Sequence, residues 1–205
     1  MIDIDTLLTW GGTYKKVCKG DIIFLEDCTA RYYYQLVSGS VRWVNIDGDG
    51  KEFTQLIIEE GECFGELPLF DDRTYAATTI ANVDSVVIRL PKQSFLQLLE
   101  ENSRIHFAFT RLMSERLRYK FFLLKEMAHQ NPEHLLTALF KYFHQHDKHT
   151  CPKCHLVRLT RQQLADITGL RIETVIRAIR LLNEKGIVSI KKGKVFLEKQ
   201  IPVLN

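Results

Sequence analysis

The chain has 205 residues, 45% of them hydrophobic, and a formal net charge of +3. That apolar content supports a buried core in one large domain or two modest ones and excludes wholesale disorder. There is no run of about 18 apolar residues to cross a membrane, and the acid-bearing opening "MIDIDTLLTW" is not a secretory signal.

The five cysteines are odd in number and scattered. They favour reduced thiols and a cytoplasmic location over a disulfide framework. The charge is unevenly placed. Arg158, Arg161, Arg171, Arg177, Arg180, Lys185, Lys191, Lys192, Lys194 and Lys199 face only Asp166, Glu173, Glu184 and Glu198. This basic C-terminal quarter suits a polyanionic partner.

From about Tyr14 to Leu90 the pattern is strand-like. "DIIFLE", "YYYQLVSGSVRWVNI", "EFTQLII" and "SVVIRL" are rich in β-branched and aromatic residues. Turn residues follow at Gly20-Asp21, Ser38-Gly39, Asp47-Gly48-Asp49-Gly50 and Glu60-Gly61. Short strands with no intervening helix-length segments predict a sandwich, roll or barrel. Asn45, Asp47, Asp49 and Gly50 imitate a calcium loop, but its twelfth position is Leu56 where Glu is needed, so a hairpin turn is expected. This region contains no His, which argues against an enzyme of the metal-dependent cupin type.

A helical pattern runs from about Gln93 to His129. Ile105, Phe109, Leu112, Arg116, Tyr119 and Leu123 follow a 4-3-4-3-4 spacing, the seam of a coiled coil. Met113, Leu117, Phe121, Leu124 and Ala128 form a second stripe. Two stripes need two partners. One can pack on the helix's own β domain and the other on a second copy of the chain; alternatively both are core of one bundle. A break follows at Asn131-Pro132-Glu133, where Asn131 suits an N-cap and Pro132 the first helical position, and a new helix runs to about His144. The expected domains are therefore 1–100, a helix over 101–130, and 131–205.

The loop "HQHDKHTCPKCH" holds Cys151 and Cys154 at a spacing suited to zinc or redox chemistry. A second Cys pair is absent, so His155 or His149 would have to complete a zinc set. The alternative is a polar connection with reduced thiols.

Thr160-Arg161-Gln162-Gln163 reads as a capping box. A helix of about 161–168 buries Leu164, Ala165 and Ile167, Gly169 supplies a turn, and a second helix of about 172–184 buries Val175, Ala178, Ile179 and Leu182. Arg171, Glu173, Thr174, Arg177 and Arg180 are left facing outward. This is a helix-turn-helix, and the following hairpin with Lys191, Lys192 and Lys194 at its tip is a wing. Glu173 and Arg177 lie one turn apart near the start of the second helix. Arg can bond two acceptors of guanine and a carboxylate can accept from cytosine; the plainer reading is an exposed i,i+4 ion pair. The base-reading candidates are Glu173, Arg177, Arg171 and Thr174. Arg161, Arg180, Lys191, Lys192 and Lys194 are the phosphate candidates.

Three segments, in order, resemble the Crp/Fnr family: "KGDIIFLEDCTARYYYQLVSGSVRW", "GECFGELPLF" and "LTRQQLADITGLRIETVIR". The resemblance covers nearly the whole chain. It implies an α+β protein with an N-terminal cyclic-nucleotide-binding-type β-roll (a double-stranded jelly roll), a long dimerisation helix and a C-terminal winged helix. It further implies a homodimeric transcription regulator on palindromic double-stranded DNA, with RNA polymerase as a further partner and no membrane association. Glu173 and Arg177 fall on the family's base-reading Glu and Arg. Ile172 and Ile176 depart from the receptor and Fnr branches respectively, which implies a different half-site.

The resemblance also places Gly65 and Glu66 on a phosphate-binding turn. Tyr75-Ala76 stands where an Arg-Ser pair is required, with Arg73 two residues early, and Lys120-Phe121 stands where cyclic-AMP binders have Thr-Ser. Burying a cyclic phosphate without a cation is costly. These departures argue against cyclic AMP and leave the effector unknown, with Arg73 or Lys120 available to another anion. Cys18, Cys28 and Cys63 are unsuitably spaced for an iron–sulfur cluster. The expected function is effector-, redox- or metal-controlled transcription regulation; the alternative is a ligand-binding or scaffold protein that does not act through DNA.

Overall fold

The computed structural model describes residues 1–198; Lys199, counted above in the basic quarter, lies outside them, as do the remaining residues of the expected third domain. The chain divides into two compact units, Met1–Glu115 and a second that begins at Arg116.

The first unit opens with α1 (Ile4–Thr9), capped by Asp3, whose carboxylate accepts from the Thr6 N–H at 3.2 Å. Eight strands follow: β1 (Thr13–Val17), β2 (Ile22–Phe24), β3 (Tyr32–Ser38), β4 (Val41–Ile46), β5 (Glu52–Ile58), β6 (Cys63–Phe64), β7 (Thr78–Ala81) and β8 (Ser85–Pro91). They form two four-stranded antiparallel sheets, ordered β1-β8-β3-β6 and β2-β7-β4-β5. All eight fall in the region read as strand-like, with β1, β6 and β7 outside its four quoted segments. The β6 and β7 strands have two and four residues, too few to show a period. A short helix, α2 (Leu67–Asp71), follows β6.

The core of this unit includes Leu7, Tyr33, Leu36, Phe64, Ile88, Leu90 and Phe95. Gln35 is buried within it without cost: its Oε1 accepts from the Tyr33 hydroxyl at 2.7 Å, and its Nε2 donates to the Ile2 carbonyl at 2.9 Å. The calcium-like loop is a hairpin turn, with Asp47 Oδ1 accepting from the N–H groups of Asp49 and Lys51 at 3.0 and 2.9 Å.

The helical stretch expected from Gln93 is two helices, α3 (Lys92–Glu101) and α4 (Ser103–Ala128). Asn102 leaves helical geometry at φ −130°, ψ 80° and separates them. Along α4 the first stripe is the inward one. Phe109, Tyr119 and Leu123 are buried and Ile105, Leu112 and Arg116 half-buried. Its N-terminal part packs on the β unit: Phe109 belongs to that core, and Ile105 and Leu112 pack against it. Its C-terminal part lies in the second unit, where Tyr119 and Phe122 contact Tyr142 of α5 (Pro132–Gln145) at ring separations of 5.1 and 4.7 Å. The second stripe is largely bare, with Leu117, Phe121 and Leu124 at 56%, 64% and 65% exposure.

Asn131 caps α5 as its sequence predicts: its side-chain oxygen accepts from the N–H groups of Glu133 and His134 at 3.0 and 3.2 Å. The rest of the second unit comprises α6 (Arg161–Thr168), α7 (Ile172–Glu184) and a hairpin of β9 (Val188–Lys191) with β10 (Lys194–Leu197).

Candidate nucleic-acid interface and sensor sites

The start of α6 is fixed by its own residues. Thr160 Oγ1 accepts from the Gln163 N–H at 3.1 Å, and Gln163 Oε1 accepts from the Thr160 N–H at 2.9 Å, so two otherwise orphaned donors are satisfied. Gly169 ends the helix at φ 69°, a left-handed conformation that a glycine adopts without strain. Leu164, Ala165, Ile167, Val175, Ala178, Ile179 and Leu182 are all buried, which clamps α6 and α7 together by their apolar faces. The α7 C-terminal end is tied twice. Lys185 Nζ meets Glu133 Oε2 at 2.6 Å, and Asn183 Oδ1 accepts from the Ile190 N–H at 2.9 Å.

This packing leaves Arg171, Glu173, Arg177 and Arg180 exposed and Thr174, Ile172 and Ile176 half-buried. Glu173 and Arg177 share the face presented by the first turns of α7. Arg161 is half-buried at the start of α6, and that burial lowers its pKa. The hairpin turns on Lys192 and Gly193, both with positive φ (48° and 75°), the geometry of a two-residue type I′ turn. Lys191 and Lys194 face each other across the strands. Lys191 Nζ lies 5.7 Å from the Phe196 ring centroid, a cation–π contact that holds it over the hairpin. Lys191, Lys192 and Lys194 are all exposed at the hairpin tip.

In the β-roll, Gly65 has φ 72°, and a Cβ there would lie 2.8 Å from Phe24 ring carbons and 3.2 Å from Tyr75 Cε1. The rings of Phe24 and Tyr75 stack with centroids 3.7 Å apart and planes 10° from parallel. Tyr34 and Phe64 extend the cluster. Tyr75 is pinned by its backbone, donating to the Cys28 carbonyl and accepting from the Asp27 N–H, both at 3.0 Å. It is 4% exposed, and burial pushes its phenol pKa up. The sequence marks Tyr75 as a missing polar residue; the fold makes it an aromatic plug against the Gly65 turn. Glu66 beside it is buried, whereas Arg73 is exposed, with its N–H donating to Asp71 Oδ1 at 3.1 Å. Gly65, Glu66 and Tyr75 sit together, Arg73 stands in solvent, and Lys120 and Phe121 belong to the second unit. Within that unit Lys120 is half-buried, and burial, reinforced by the nearby Arg116 charge, lowers its pKa to about 8. Phe121 is exposed.

All five cysteines are free. Cys151 and Cys154 adjoin in a tight turn in which the His155 N–H donates to the Cys151 carbonyl at 2.8 Å. The Cys151 thiol is lowered to about 7, chiefly by the Cys154 backbone N–H, then by the Cys154 thiol and the Lys153 backbone N–H, with a smaller contribution from Arg158. The expected trio of Cys151, Cys154 and His155 does not gather as metal ligands. His155 takes φ 57° at the end of the turn, and its ring packs edge-on against His144, 5.1 Å away. Among the described residues, the group whose ligand atoms do converge is Glu126, His129 and His134, all within 4.8 Å of one another. Sequence reading missed it because His134 comes from a different helix.

Two antiparallel sheets bearing a glycine turn, joined through a long helix to a capped helix-turn-helix and a basic hairpin, define a β-roll sensor coupled to a winged helix. Comparison with known proteins agrees. The cyclic nucleotide-binding domain family matches residues 14–102, and the Crp-like helix-turn-helix domain family matches residues 133–200. The chain belongs to the Crp/Fnr family of transcription regulators. It is 27% identical over 199 residues to the cAMP-activated global transcriptional regulator Vfr of Pseudomonas aeruginosa, covering 95% of this chain and 92% of that one. It is also 27% identical over 202 residues to the anaerobic regulatory protein of Bacillus subtilis, covering 97% and 85%. The structure of the c-di-GMP responsive global regulator CLP of Xanthomonas campestris superposes with a TM-score of 0.76 over 96% of this chain and 100% of that one. At 18% identity that likeness speaks for the fold alone.

Proposed function

We propose that this protein is a homodimeric, sequence-specific DNA-binding transcription regulator that reads a palindrome through α7. The exposed Glu173–Arg177 face on a helix whose opposite side is locked into the core carries this reading. Glu173 and Arg177 contact bases, with Arg171 and Thr174 beside them. Arg161, Arg180, Lys191, Lys192 and Lys194 contact phosphates. The functional division is a sensor over 1–100, a dimerisation helix over 101–130 and a reading domain over 131–205. The bare stripe of Leu117, Phe121 and Leu124 supplies the dimer seam. The setting is cytoplasmic, RNA polymerase is the partner through which bound protein acts on transcription, and no catalytic step is involved.

The departures at Tyr75-Ala76 and Lys120-Phe121 argue against cyclic AMP as the effector. Relatives respond to different signals: one is described as cAMP-activated, another as anaerobic, a third as c-di-GMP responsive. Family membership therefore leaves the effector open, and here Phe24 and Tyr75 fill the ground over the Gly65 turn.

The test is fluorescence anisotropy on mixed-sequence duplex DNA at several salt concentrations. The logarithm of the binding constant should fall linearly with the logarithm of salt, with a slope of about −0.9 per phosphate neutralised. Affinity that is absent at low salt, or insensitive to it, rejects the reading in favour of a scaffold role.

A further inference from the structure

Glu126 lies in the last turn of α4, His129 is the residue that follows the end of that helix, and His134 lies in the first turn of α5. Between them the chain reverses at Gln130, φ 52°, and restarts at the Asn131 cap. The Glu126 side chain is 8% exposed, and its Oε2 is 2.6 Å from His134 Nε2. The imidazoles of His129 and His134 have centroids 4.5 Å apart. These groups open onto a cavity of about 500 Å³ that Lys125, Lys141 and Tyr142 also line. Lys125 Nζ approaches the other carboxylate oxygen of Glu126 at 3.5 Å, but its side chain is 74% exposed and leaves Oε2 to the histidines.

We propose that Glu126, His129 and His134 form a binding site for a divalent first-row transition-metal ion. Glu126 in the last turn of α4 and His129 just past its end bring a carboxylate oxygen and an imidazole nitrogen close together. Two imidazoles and one carboxylate suit zinc, cobalt or nickel, not magnesium or calcium, which require oxygen ligands. The ligand atoms already lie within 4.8 Å of one another, so side-chain rotation brings them to a common ion, and the cavity admits water to the remaining positions. A hydrogen bond between Glu126 and His134 accounts for two of the three groups; a shared cation also accounts for the approach of His129. The bound ion pins the last turn of α4 to the first turn of α5 across the Gln130 reversal. Its regulatory meaning rests on the DNA-binding reading, but its existence does not.

The experiment is a cobalt(II) titration of tag-free, full-length protein carrying Cys151→Ser and Cys154→Ser, followed by visible absorption without DNA. The expected result is one ion per chain, with d–d bands and no sulfur-to-cobalt charge transfer. Glu126→Gln and His129→Ala should each weaken binding by at least about tenfold, while His144→Ala leaves it unchanged. His129 is exposed, so its variant tests the site even if Glu126→Gln disturbs folding. No uptake by the folded protein, or uptake unchanged by His129→Ala, overturns the proposal. Because no DNA is present, a failed DNA-binding reading cannot produce either result.

Discussion

The Cys151 thiol shows how a turn changes one residue's chemistry. Backbone N–H groups of Cys154 and Lys153 point at its sulfur and stabilise the thiolate, lowering the pKa to about 7. Because the shift is downward, the reactive form is already half populated near neutrality. Iodoacetamide labelling of Cys151, followed by peptide mass spectrometry across pH, should rise with a midpoint near 7. A midpoint near the ordinary thiol value of about 8.5 would show that the turn does not act on the sulfur. Tyr75 makes the complementary case: a side chain whose role reverses once its surroundings are known. As letters, Tyr75-Ala76 marks a missing anion site. In the fold its ring is stacked on Phe24 and closes over Gly65. Cyclic AMP at millimolar concentration should therefore leave the melting temperature unchanged. A ligand present at 100 times its Kd would add about 2.7 kcal/mol, a rise of several degrees that differential scanning fluorimetry would detect.

Elements differed in how much their own residues disclosed. The bounds of α6 and α7 follow from local chemistry, because Thr160 with Gln163 and the Gly169 turn specify where helix starts and stops. The same holds for the Asn131 cap of α5. The break at Asn102 is poorly marked because apolar periodicity continues on both sides of it, and β6 and β7 are too short to carry a pattern. The Glu126–His129–His134 group was illegible for a different reason. Its geometry depends on the reversal at Gln130, which no spacing along one helix encodes. The two stripes of α4 were both legible, and the structure shows which is covered. Replacing Leu117, Phe121 and Leu124 together by polar residues should convert dimer to monomer in analytical ultracentrifugation, with the helical circular dichroism retained. If the mass is unchanged, the seam lies elsewhere. Tyr119 and Leu123, which are buried within one chain, are not suitable positions for this test.

The whole molecule combines a reading face, the proposed dimer seam and a β-roll whose Gly65 turn is packed by Phe24 and Tyr75. Two identical reading helices impose a symmetric site with half-sites one helical turn, about 34 Å, apart. Ile172 and Ile176 are half-buried on α7 and supply no ionic contact, so the half-site depends on Glu173 and Arg177. Selection of binding sequences from a random duplex pool, carried out in parallel with the unaltered chain and with Arg177→Ala, tests this most directly. The unaltered chain should enrich an inverted repeat. The Arg177→Ala variant should lose preference at one symmetric pair of positions, a cost of about 1–3 kcal/mol per contact, while keeping its salt-dependent affinity for unrelated duplex. Failure to enrich a repeat, or the same repeat enriched equally by both proteins, would contradict the account.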